Sequence, residues 1–350
     1  MQDVTTRIEG RAGIVTLTRP KALNALSHPM SIAIEAALDA WRDDPNVALV
    51  IMEAEGEKAF CAGGDIASIY HQAKAGDLQP ARDFWRDEYR LNVKIAEYQK
   101  PVVSFLQGFI MGGGVGLGCH GSHRIVGDTS KVAMPECGIG LIPDVGGSLI
   151  LARAPGRVGE YLGLTGERLN AADAIFAGFA NLYIPETEWP ALKAALIETG
   201  DATLAEAAGR AGAGATLPAL LPMLERTLSA GTIGGILERL DEEAGRDAGE
   251  DNREVAQKAA AAIRRGSPIS LAATLEIVRR ARGFSSLREA VALEYRFTWR
   301  SHEFGDFVEG IRAQLIDKDR TPHWKHRAAD AAPPDYVAMM LSSLGENEIA

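Results

Sequence analysis

Apolar and polar positions in the first half of the chain fall into two alternating kinds of stretch. Residues 12–18 (AGIVTLT), 48–53 (ALVIME) and 101–106 (PVVSFL) are short, nearly continuous apolar runs. Their length and β-branched content predict buried strands. "SHRIVGD" and "KVAMPE", further on, are also strand-like. Helical patterns lie between them. Ser27 is placed to cap a helix running to about Asp43, with Pro29 in its first turn. Ala33, Ala37, Leu38 and Trp41 give that helix an apolar side. A charged segment over roughly 67–99 also reads as helical. Strands alternating with helices predict an α/β core of crossover units.

After about Arg157 the pattern changes. Residues 157–232 are rich in Ala and Leu and mostly helical, punctuated by Gly and Pro. Residues 250–282 predict one or two helices, broken at "RRGSP" where Gly266 and Pro268 stop the periodicity. The last 60 residues read as helices with loops. No internal repeat and no long low-complexity tract is present. "AEAAGRAGAGATL" (205–217) comes nearest to a linker, either a surface loop between helices or a hinge.

Composition narrows the function classes. The 350 residues are 46% hydrophobic and 24% charged, an ordinary globular balance. A net charge of −10 and a pI of about 5.3 argue against a general binder of nucleic acid or anionic membrane, which needs a basic face. An anionic small ligand stays possible, since backbone N–H groups bind phosphate on an acidic protein too. The three cysteines, Cys61, Cys119 and Cys137, show no CxxC or Cys/His spacing, so no metal site is expected and a reducing cytoplasm fits best. The opening MQDVTTRIEG has neither an apolar core nor an Arg/Ser-rich pattern, so neither a signal nor a transit peptide is expected. No apolar run reaches the roughly 18 residues of a membrane span.

Two glycine clusters each follow a buried strand: Ala62-Gly63-Gly64 and Gly112-Gly113-Gly114. Glycine permits positive φ in a turn or lets a group approach the backbone closely. Either these are tight strand-to-helix turns, or their N–H groups form a two-donor oxyanion hole. "MPECGIGLIPDVGG" (134–147) follows, with Glu136 and Asp144 eight residues apart among apolar residues and glycines. Carboxylates are rarely buried unless something pairs with them or uses them. "GLGCHG" (116–121) matches the dinucleotide fingerprint G-x-G-x-x-G literally. It falls inside the predicted helix rather than at the strand-to-helix turn, and no acidic residue at a following strand end supports it. Cys119 and His120 are adjacent in that stretch and point about 100° apart on a helix, so they do not form a nucleophile–base pair. Cys119 reads as a core packing residue, His120 as a histidine with its hydrogen bonds satisfied, and Cys61 as a small buried apolar residue.

"KAFCAGGDI" (58–66), "GFIMGGGVGL" (108–117) and "MPECGIGLIPDVGG" (134–147) resemble the crotonase, or enoyl-CoA hydratase/isomerase, superfamily. "RDEY" (86–89), "SPISLAATLE" (267–276), "EYRFTWR" (294–300) and "FVEGIRAQLIDKDRTPHW" (307–324) resemble its thioester-hydrolase subgroup, and the likeness runs from about residue 4 to 345. The resemblance implies an α/β fold, a spiral of ββα units over residues 1–200 carrying an acyl-CoA site. A helical C-terminal region over 201–350 would pack on that core or on a neighbouring subunit. It implies a thioester carbonyl held by the N–H groups of Gly64 and Gly113, and a loop of Ala62, Gly63, Asp65 and Ile66 bordering the CoA.

Members that hydrate enoyl-CoA use two glutamates, one matching Glu136 and one at the position of Gly116, which here has no side chain. Hydrolase members match instead at Glu136, Asp144 and Glu88. The implied reaction is hydrolysis of a small 3-hydroxyacyl-CoA, foremost 3-hydroxyisobutyryl-CoA of valine breakdown. Glu136 would be nucleophile or general base. Asp144 would bind the 3-hydroxyl or assist proton transfer to the leaving thiolate, and Glu88 would orient the hydroxyl or a water. No cofactor is expected beyond the CoA of the substrate. Trimers or hexamers are common in the superfamily. Hydration or isomerisation of an enoyl-CoA is the alternative, and a non-catalytic scaffold or RNA-binding role is a third.

Overall fold

The computed structural model describes residues 3–212, 214–246 and 250–349, so position 213 of the linker-like stretch and the first two residues lie outside it. In chain order the strands are β1 (Val4–Glu9), β2 (Ala12–Leu17), β3 (Leu49–Ala54), β4 (Ala59–Cys61), β5 (Val102–Leu106), β6 (Phe109–Met111), β7 (His123–Val126), β8 (Lys131–Ala133) and β9 (Leu182–Tyr183). The helices are α1 (His28–Trp41), α2 (Ile66–Lys74), α3 (Gln79–Ala96), α4 (Gly113–Gly118), α5 (Gly147–Arg153), α6 (Val158–Thr165), α7 (Ala171–Phe176), α8 (Trp189–Thr199) and α9 (Thr203–Ala208). They continue with α10 (Leu217–Leu228), α11 (Ile233–Gly245), α12 (Glu250–Arg265), α13 (Pro268–Ala281), α14 (Leu287–Ser301), α15 (Phe307–Ile311) and α16 (Pro334–Met340).

By its contacts the chain forms two compact units, each built from discontinuous segments. The first comprises residues up to Asp65, Asp87–Ala133 and Arg168–Ala215. The second comprises Ile66–Arg86, Met134–Glu167 and Thr216 onward. The helical residues after 201 are thus shared between the two, and the linker-like stretch crosses from one to the other at 215/216.

Both sheets belong to the first unit. One has the order β1-β2-β3-β5-β7-β9, with β1 antiparallel to β2 and the other pairings parallel. The other is a short parallel sheet, β4-β6-β8. Three successive strand pairs, β3/β4, β5/β6 and β7/β8, each give one strand to each sheet. This repeated hand-over is the spiral of ββα turns that the resemblance implied. Parallel strands covered on both faces must be apolar throughout, and β2 and β5 are buried along their whole length. Ile14, Ile51, Val103, Phe105 and Ile125 form one face of the core, with Trp189, Leu192 and Leu196 of α8 packed on it.

Several local expectations change. α1 ends at Trp41, and Ser27 occupies the N-cap without a side-chain hydrogen bond. Ala33 is only half-buried, while Met30 and Ile34 are fully buried. The charged segment splits into α2 and α3 because Gly76 takes φ +80°. The "GLGCHG" stretch runs out of the C-terminal end of α4 instead of lying within a helix. The expected break at Gly266 is present, between α12 and α13. In the second unit α13 is buried on nearly all sides, which is why it lacks an amphipathic pattern.

Candidate active site

In the first unit, β4 runs into Ala62-Gly63-Gly64. Gly63 has φ +115°, outside the range of L side chains. Its carbonyl accepts the Leu26 N–H (2.9 Å), and Asp65 N–H donates to the Leu26 carbonyl (2.8 Å). Gly64 is the bridging residue between them. In such a parallel bridge its own N–H points to the opposite side, away from Leu26. β6 runs into Gly112, at φ +46°. Gly113 is then the first residue of α4, where the helix leaves N–H groups unused. A Cβ added to Gly113 would fall 2.8 Å from Glu88 Oε1 and 3.5 Å from Gly64 N. Gly64, Gly113 and the Glu88 carboxylate therefore converge, and Glu88 is buried on α3 rather than solvated.

Asp65 of the same loop is tied to Arg19 at 3.0 Å. Ala62 donates its N–H to the Leu23 carbonyl at 3.1 Å. Ile66 begins α2 and belongs to the second unit. The Cys61 thiol lies beneath this loop, where burial pushes it up to about 12. Cys119 is fully buried beyond α4, as a packing residue should be.

In the second unit a single 3₁₀ turn, Glu136–Ile139, follows Pro135 and places Glu136 in the interior at 5% exposure. Among the described residues its Oε2 has no hydrogen-bond partner. Burial raises its pKa well above the carboxylate range, and the charges of Asp144 and Glu294 push the same way. Asp144 is equally buried, at 4% exposure. It is followed by Val145 (φ +53°) and Gly146 (φ +79°), both left-handed.

The third carboxylate, Glu294, went unrecognised in the sequence except as part of a resembling motif. It lies midway along α14 with no exposed surface. It accepts hydrogen bonds from Gly146 N–H (2.8 Å), Ser148 N–H (3.1 Å) and the Ser148 hydroxyl. Burial pushes it up to about 8. A signal was available: Leu287, Val291, Glu294, Thr298 and Ser301 form one buried stripe at helical spacing, and a carboxylate interrupts it. Among the described residues no cluster of His, Cys, Asp and Glu could hold a metal.

Adjoining glycine turns at Gly64 and Gly113 in the first unit, and the buried carboxylates Glu136, Asp144 and Glu294 in the second, carry the motifs that resemble the crotonase class. Consistent with that class, the family model for enoyl-CoA hydratase/isomerase matches residues 12–341, and the chain belongs to that family. Its relatives carry narrower names. The chain is 37% identical to the mitochondrial 3-hydroxyisobutyryl-CoA hydrolase of Gallus gallus, covering 99% of this chain and 90% of that one. It is 38% identical to 3-hydroxyisobutyryl-CoA hydrolase 1 of Arabidopsis thaliana, over 90% and 84%. A solved enoyl-CoA hydratase from Rhodobacter sphaeroides is 52% identical, with a TM-score of 0.94 and full coverage of both chains. A solved carnitinyl-CoA dehydratase from Mycobacterium thermoresistibile is 39% identical, with a TM-score of 0.92 over 100% and 99%. Among the described residues no helix is long and apolar enough to cross a membrane.

Proposed function

We propose that this chain hydrolyses 3-hydroxyisobutyryl-CoA, or a closely similar small 3-hydroxyacyl-CoA, to the free acid and CoA. The observation that carries the reading is the pairing of a side-chain-free Gly116 in α4 with a buried Glu136 and Asp144. Hydration of an enoyl-CoA in this family employs a carboxylate at the Gly116 position; thioester hydrolysis employs Asp144.

In this reading the thioester oxygen is received by the N–H groups of Gly64 and Gly113. Each such donor contributes about 2.7–4 kcal/mol to stabilising the oxyanion. Glu136, as nucleophile, adds its carboxylate oxygen to the carbonyl carbon. The C–S bond then breaks, and CoA leaves as thiolate and takes a proton. Water opens the resulting anhydride to release the acid and regenerate Glu136, so that one difficult step becomes two easier ones. As general base, Glu136 would instead draw a proton from water attacking directly. Asp144 binds the 3-hydroxyl or supplies the thiolate's proton, and Glu88 orients the hydroxyl or water. Ala62, Gly63, Asp65 and Ile66 border the CoA. No cofactor besides the substrate's own CoA enters this scheme, and assembly as a trimer or hexamer belongs to the same proposal. Cytoplasmic residence is part of it as well, resting on three free, buried thiols that any reducing compartment would preserve; the vertebrate relatives are named mitochondrial.

A second reading, hydration of an enoyl-CoA, is favoured by the name of the 52% identical structure. One experiment separates the two. Thiol release from 3-hydroxyisobutyryl-CoA is followed for the wild type and Glu136→Gln, with loss of crotonyl-CoA absorbance in parallel. Rapid thiol release that collapses in the variant is expected. Absorbance loss without thiol release would replace hydrolysis with hydration.

A further inference from the structure

Asp144 opens a tight turn, in which the Gly147 N–H donates to the Asp144 carbonyl at 2.6 Å. Val145 and Gly146 after it are both left-handed. Glycine adopts that conformation freely, whereas a β-branched residue there is a strained outlier. Such strain persists only where the surroundings over-determine it. The next element, α5, has glycine at its N-cap and no side-chain cap from its own segment. A Ser, Thr or Asp at that position would ordinarily answer the first N–H groups. Glycine occupies it because the backbone needs φ +79°.

The missing cap is supplied from α14. One oxygen of Glu294 takes the Gly146 N–H at 2.8 Å, and the other takes the Ser148 N–H at 3.1 Å together with the Ser148 hydroxyl. A carboxylate with no exposed surface is costly to keep unless it is used. Here both oxygens are engaged, and the residues they engage start two positions after Asp144. Asp144 in turn lies near enough to Glu136 and Glu294 for their charges to interact.

We infer that Glu294 is a positioning residue: from α14 it clamps the left-handed Val145–Gly146 pair and the start of α5, and thereby fixes where the Asp144 carboxylate sits. This rests on reading Asp144 as a working group of the hydrolase. It assigns "EYRFTWR" a task, which the sequence alone did not.

The test uses the full chain as wild type, Glu294→Gln and Ser148→Ala. Thiol release is measured across 3-hydroxyisobutyryl-CoA concentrations, and amide hydrogen exchange is followed in the peptide spanning 144–149 and in β3. Glutamine keeps the size but sets an NH2 group against one of the two N–H donors. The expected result for Glu294→Gln is faster exchange in 144–149 only, kcat lowered about 100-fold as for a mispositioned group, and KM little changed. Ser148→Ala, which keeps both N–H bonds, is expected to lower kcat several-fold. Unchanged exchange in Glu294→Gln, or faster exchange with wild-type kcat, would overturn the inference. Should Glu294→Gln fail to fold, an unchanged kcat in Ser148→Ala would overturn it and a several-fold fall would support it. A wild type inert on the thioester, with faster exchange in Glu294→Gln, would sink the hydrolase reading and support the clamp.

Discussion

Gly113 and Gly114 are adjacent, yet replacing each by alanine should fail in different ways. At Gly114 the new Cβ would lie 2.1 Å from the Cys61 carbonyl oxygen and 2.9 Å from its carbon. Both are backbone atoms at the end of β4, and α4 would have to lift off the strand. Overpacking against backbone costs about 3 kcal/mol or more. At Gly113 the new Cβ meets only the Glu88 Oε1 closely, at 2.8 Å, and lies at ordinary contact distance, 3.5 Å, from Gly64 N. A carboxylate at the end of a flexible side chain can move aside, so the fold should lose no more than about 1–2 kcal/mol. Activity should lose far more. The methyl group occupies the space beside the Gly64 donor and displaces Glu88. Loss of one oxyanion donor costs about 2.7–4 kcal/mol, roughly a 100- to 1000-fold fall in kcat. Thermal melts and thiol release on both variants read the two effects separately. Gly113→Ala should melt close to the wild type and turn over poorly; Gly114→Ala should melt much lower. A well-folded Gly113→Ala with wild-type kcat would refute the assignment of this space to the oxyanion. A Gly113→Ala as unstable as Gly114→Ala would refute the claim that Glu88 can yield.

Further outcomes follow from the buried groups. The raised pKa of Glu136 means the folded chain holds a proton that the unfolded chain loses once the pH passes the usual 4.5. Its contribution to stability is thus present at low pH and is lost as the pH rises, at up to about 1.4 kcal/mol per pH unit. Glu136→Gln should therefore gain on the wild type in urea melts as the pH rises above about 5, and a gap independent of pH would contradict this. Cys61, Cys119 and Cys137 are free, buried and each pushed up to about 12. A thiol dye near neutral pH should find none of them in the native protein and all three after denaturation. A rapidly reacting native thiol would contradict that burial.

Much of the fold is legible because local rules suffice for it. The runs at 12–18, 48–53 and 101–106 became β2, β3 and β5 within a residue or two. A strand covered on both faces leaves an unbroken apolar signature. β1 leaves none: only Val4 of VTTRIE is buried, since β1 is an edge strand facing water. β4, β6 and β8 have three residues each, and only pairing with one another makes them strands. The division into units was likewise illegible, because each combines segments far apart in sequence.

The residues by themselves determined where glycine was obligatory, where apolar runs had to be buried and where a carboxylate stood in apolar company. All of these follow from sterics and periodicity acting over a few positions. Gly63, Gly112, Glu136 and Asp144 stood out on those grounds. Only the tertiary structure decided that Glu88 leaves solvent to sit against Gly113, and that Glu294 caps a helix 146–148 residues away. Desolvation and proximity come from packing, which no window of neighbouring residues contains. The chemical state of the buried carboxylates is therefore a property of the folded chain.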